Sequence, residues 1–136
     1  MTLFWKPWYT TRDAVLDEQH RTIFELMNDL GALVEAGRYD CAELEALLKA
    51  LDVQVDEHFV LEEGCMAKHG CPMAQKNKEE HNQFLHHFES FKKSYGKKKS
   101  LEALKSFHEY ASSWMHEHVC FVDIHLRSCI RSGRGD

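Results

Sequence analysis

Four histidines and two carboxylates stand out in this sequence as candidate metal ligands: His20, His58, Glu62, His81, His118 and Asp123. His58 and Glu62 are four residues apart, so on a helix they share one face. Leu51 and Val55 belong to that same face, which puts an ionisable pair on a core stripe. A buried carboxylate without a partner is costly, and a cation cluster is the simplest compensation. His118 and Asp123 are five residues apart, a poor fit to an ideal helix that predicts a local widening near Val119-Cys120. Imidazoles with carboxylates and no thiolate partner suit iron, zinc or manganese better than magnesium, calcium or copper(I). A four-ligand zinc site leaves two of the six groups unused, whereas two metals bridged by Glu62 and Asp123 use them all.

Such a cluster needs elements that bring its members together. Only two prolines occur in 136 residues, which favours long helices. Helical periodicity predicts a first helix over about 17–36, with Ile23, Phe24, Met27, Leu30 and Val34 inward and Gly37 past its end. A second starts near Asp40, where Asp40-x-x-Glu43 has the form of a capping box, and stops around Gly64. A third covers 74–95 and a fourth begins after Ser100, a suitable N-cap, and runs to about Arg127. The predicted fold is all-α: an antiparallel, up-down-up-down four-helix bundle over about 17–130, an extended arm over 1–16, and a tail or linker from 131. In that topology the starts of helices one and three meet the finishes of helices two and four, so all six residues fall in one layer.

At this length a single domain with its own core is expected. Hydrophobic residues at 43% and charged residues at 29% fit a soluble protein. The net charge of −5 gives no electrostatic reason to expect nucleic acid or an anionic membrane as partner. Lys97-Lys98-Lys99 reads as a solvated turn. No apolar run approaches the roughly 20 residues needed to span a bilayer, and a cytoplasmic location is expected. The five cysteines form no Cys-x-x-Cys pair, so reduced thiols are expected, with Cys65–Cys71 the one link weighed against them. Of the ten histidines, His69, His86, His87, His108, His116 and His125 are expected on loops, rims or solvated faces.

The motifs Asp17-Glu18-Gln19-His20, His58-Phe59-x-x-Glu62-Glu63, Gly70-Cys71-Pro72, Glu79-Glu80-His81 and Trp114-x-x-x-His118-x-x-x-x-Asp123 together resemble the hemerythrin family, in particular bacteriohemerythrin-type domains. The resemblance runs from Trp8 to about Ile130. It implies a cofactor of two Fe ions with an oxo or hydroxo bridge, His20 and His58 serving one iron, His81 and His118 the other, and Glu62 and Asp123 bridging. It also implies dioxygen or related small ligands (nitric oxide, azide-like anions) as partners, in an apolar pocket of Phe24, Phe59, Trp114 and Met115. One position departs from the family. Where a His-x-x-x-His pair is usual on helix three, its first member falls at Asn77, so each iron is expected to carry two histidines and an exchangeable position.

Three functions follow from the resemblance. The first is an oxygen- or redox-sensing module of a signalling protein, with a fused or associated output domain and no catalysis of its own. The others are a stand-alone oxygen carrier or store, and a di-iron oxidase or peroxidase-like enzyme. A ferritin-like site is disfavoured, because those use Glu-x-x-His pairs and this chain has none.

Overall fold

Asp13 sets the start of the first helix in the computed structural model, which describes residues 1–133 and, within them, all side chains except those of 123, 124 and 131–133. Its carboxylate accepts from the backbone N–H groups of Val15 and Leu16, both at 3.0 Å, and α1 spans Ala14–Glu35. The helix thus begins three residues before Asp17, which is left to bind the arm. Asp17 Oδ1 accepts from the Thr11 N–H and Thr11 hydroxyl at 2.8 Å, and Oδ2 from the Thr10 hydroxyl at 2.5 Å. The arm carries a 3₁₀ turn at Pro7–Tyr9 and buries Leu3 and Tyr9. Both amide atoms of the Asn28 side chain pair with the Leu3 backbone at 2.8 Å. At the far end Gly37, with φ of 68°, takes the left-handed conformation that closes a helix cheaply.

The second helix, α2, spans Ala42–Lys68, α3 Ala74–Lys97 and α4 Leu101–Gly133. Ser100 caps α4 through the Ala103 N–H at 3.2 Å, as expected. Asp40 does not cap α2; Cys41 holds that position without a side-chain bond, and Asp40 accepts from Lys99 at 2.9 Å instead. The expected widening at Val119-Cys120 is absent, since α4 is α-helical throughout. It also continues past the point where a tail was predicted; residues 134–136 lie outside the described residues. No strand occurs among the described residues, and none of their helices is long and apolar enough to cross a membrane.

Each helix packs on the next, and α1 closes the ring on α4. Contacts between neighbours show their directions. Across α2 and α3, Glu62 meets His81 while Asp52 meets Lys92. Across α3 and α4, Phe84 packs on Trp114 and Phe91 on Phe107. Residue numbers rise on one helix as they fall on the other, so these neighbours are antiparallel. The main core includes Ile23, Met27, Leu51, Val55, Phe84, Phe88, Phe107 and Met115. A smaller core of Leu16, Met66, Cys71, Val122, Leu126, Cys129 and Ile130 closes one end.

Two expectations fail here. Cys71 and Cys129 form a disulfide, while Cys41, Cys65 and Cys120 are not disulfide-bonded. The partner was missed because α4 extends further than its apolar pattern predicted and brings Cys129 back to the loop between α2 and α3. His108, expected on a solvated face, is buried. Its Nε2 lies 3.0 Å from the Met27 carbonyl and 3.3 Å from the Ser112 hydroxyl. Gly31 makes room for the ring: a Cβ there would sit 2.8 Å from His108 Nε2. Gly31→Ala should therefore destabilise the fold by about 1–3 kcal/mol through overpacking, although alanine is the better helix former by up to about 1 kcal/mol. Urea unfolding of the two proteins measures the difference, and a more stable variant would show that the ring yields freely.

Candidate metal centre

The antiparallel order brings the opening turns of α1 and α3 beside the later parts of α2 and α4. His20, His58, Glu62, His81 and His118 meet there, each 2% exposed or less. Glu62 lies at the centre. Its Oε2 is 2.9 Å from His58 Nε2 and 3.3 Å from His20 Nε2. Its Oε1 is 2.8 Å from His81 Nε2 and 2.9 Å from His118 Nε2. Two groups able to hold a metal ion result, His20–His58–Glu62 and Glu62–His81–His118, with one carboxylate common to both.

The outer nitrogens fix which way the rings face. His58 Nδ1 lies 2.9 Å from Gln19 Oε1, and His81 Nδ1 lies 2.9 Å from Glu63 Oε2. Both partners are acceptors, so Nδ1 carries the proton and Nε2 turns a lone pair inward. A second bond of this kind orients a metal-binding imidazole and raises its basicity. The sequence reading missed Gln19 and Glu63 in this role; the available signal was their place beside His20 and Glu62 in the same motifs.

Protonation agrees with the geometry. Burial and the nearby His58 bring His20 down to about 4. Burial lowers His118 too, against the opposing pull of Glu62. Burial alone would raise the Glu62 carboxyl, but His118 and His58 outweigh it and hold the group well below the usual carboxylate range. Burial thus disfavours the charged forms of His20 and His118 while Glu62 is held ionised, the direction that metal ligation requires of each. The lone pairs on His58 and His81 Nε2 face the lone pairs of Glu62, and His81 Nε2 lies 3.1 Å from His118 Nε2. Acceptors converging in a buried space repel one another unless a cation stands between them, and by this test the donor set fits metal ions.

Aromatic rings wall the site. Phe59 stacks on His81 with ring centroids 3.8 Å apart, and Trp114 stacks on His118 at 4.6 Å. Phe24 lies further along α1 against Trp5 and Tyr9, and Met115 belongs to the main core. Phe59 and Trp114, two of the four residues expected to line a pocket, thus stack on the cluster's rings. A cavity of about 270 Å³ between α3 and α4 is lined by Trp114 and His118 with Glu80, Gln83, Glu117 and Phe121. The side chain of Asp123, expected as a second bridge, lies outside the described residues. Asn77 is fully buried, and neither atom of its amide has a hydrogen-bond partner.

The chain matches the hemerythrin family, described as the Hemerythrin HHE cation binding domain, over residues 11–126. No individual curated protein matches it. The family match spans most of the sequence and takes in all four helices, and its cation-binding description agrees with a cluster whose lone pairs call for a cation. The chain belongs to the hemerythrin HHE cation-binding family.

Proposed function

We propose that the chain is a non-haem di-iron protein that binds dioxygen or a related small ligand and serves as an oxygen- or redox-responsive module of a signalling protein. The observation that carries this reading is Glu62, whose two oxygens each face a separate pair of imidazoles. A single ion has no use for a carboxylate divided in this way; a pair of ions does. His20 and His58 would hold one iron and His81 and His118 the other, with Asp123 as the second bridge. Bound there, the two irons would supply a redox centre able to take up a small ligand.

The remaining work belongs to the chain. Gln19 and Glu63 hold the His58 and His81 rings with Nε2 inward. Phe59 and Trp114 lie flat on the His81 and His118 rings and keep water from that side. The cavity beside Trp114 and His118 is wide enough for a diatomic gas.

Asn77 inclines the reading towards sensing. An imidazole missing from one iron leaves a second exchangeable position, which suits a centre that changes state over one that only stores gas. Signal output would then come from an attached or associated domain, with no catalysis in this one. Loading with iron(II) without air, then admitting air, should produce a visible charge-transfer absorption that nitric oxide alters. Spectra unchanged by both gases would contradict the proposal.

A further inference from the structure

Asn77 is the polar group that the ligand set leaves unexplained. Its side chain is fully buried, and Oδ1 and Nδ2 both lack partners. Leaving a buried amide unpaired costs a few kcal/mol, so its retention calls for a partner that binds there. Asn77 stands four residues before His81 on α3, on the same helix face and therefore beside the His81–His118 half of the cluster.

Charge decides what that partner is. With both irons oxidised to the trivalent state, neutral imidazoles, the shared Glu62, a second carboxylate and an oxo bridge still leave net positive charge in a buried space. An anion is the complement. An amide that ligated a metal through Oδ1 would leave two buried N–H donors without acceptors. An amide that instead donates both leaves only a carbonyl underused, which proteins tolerate more readily.

We infer that Asn77 is a selectivity residue whose amide N–H groups donate to a small anion of the azide class held at the metal of the His81–His118 pair. The inference rests on the di-iron reading but is separable from it. A histidine at this position would fill the exchangeable site; asparagine keeps it open and supplies donors for its occupant.

The test uses the full iron-loaded chain and azide titration followed by absorption. Asn77→Leu keeps the volume and removes the donors, and Asn77→Ala removes them by truncation. Both should retain two irons and bind azide about 10- to 100-fold more weakly, the span of losing one or two hydrogen bonds to a charged acceptor. Asn77→Asp should weaken azide at least as much, since a carboxylate repels the anion. Before iron is added, Asn77→Leu should melt no lower than the wild type, because it removes an unpaired buried amide. Wild-type azide affinity in the loaded Leu variant would overturn the inference. So would loss of one iron from it, which would make Asn77 a ligand, or a large drop in its iron-free melting temperature, which would reveal a structural partner. A wild-type chain that holds two irons but no azide would end the inference and leave the di-iron reading standing. One that holds no iron pair would end that reading itself.

Discussion

Replacing Glu62 with alanine should release both metal ions, lowering affinity at each position by more than about 100-fold. The estimate follows from the position of the group. Loss of a residue that merely orients a metal ligand costs about 10- to 100-fold, and Glu62 is itself within 3.3 Å of all four imidazoles. Substitution of either histidine pair should be milder, emptying one position and weakening the other only through the shared carboxylate. Glu62→Gln gives a sharper version. One amide oxygen still faces one imidazole pair, but the NH₂ group donates to the other and satisfies its lone pairs without a cation. That variant should fold without metal and bind at most one ion. Metal titration of the three proteins distinguishes these outcomes, and equal losses from Glu62→Ala and from a histidine-pair variant would contradict a shared ligand.

The second large effect concerns the disulfide. Cys71 and Cys129 are separated by 58 residues, and chain-entropy reasoning assigns a cross-link of that span about 4 kcal/mol. Reduction, or Cys129→Ser, should destabilise the fold by about that much. The bond ties the last turns of α4 to the loop between α2 and α3, beside the small core of Leu16, Met66, Val122 and Leu126. Its loss should free the part of α4 that follows His118 and speed metal release. Denaturant unfolding with and without reductant measures the stability term. A midpoint unmoved by reductant, with both thiols shown to be free, would contradict it.

Much of this was legible in the sequence, for identifiable reasons. Period-3.6 stripes and few prolines gave four helices, and their short links gave the antiparallel order that gathers His20, His58, Glu62, His81 and His118. Failures came where a residue's role depends on a distant partner. His108 looked solvated because the space opposite it, at Gly31, is a tertiary feature. Cys129 lay beyond the predicted end of α4, so its proximity to Cys71 was invisible. Asp17 looked like a helix-opening residue, yet Asp13 caps α1 and Asp17 ties down the arm. Gln19 and Glu63 were legible as motif members, but their bonds cross to α2 and α3, where no local pattern records them.

The central claim is that one carboxylate serves two metal ions. Iron per folded chain, measured by elemental analysis after anaerobic loading and removal of free metal, tests it most directly. Two irons are expected in the wild type and none in Glu62→Ala. One ion per wild-type chain, or two in the Glu62→Ala variant, would contradict it.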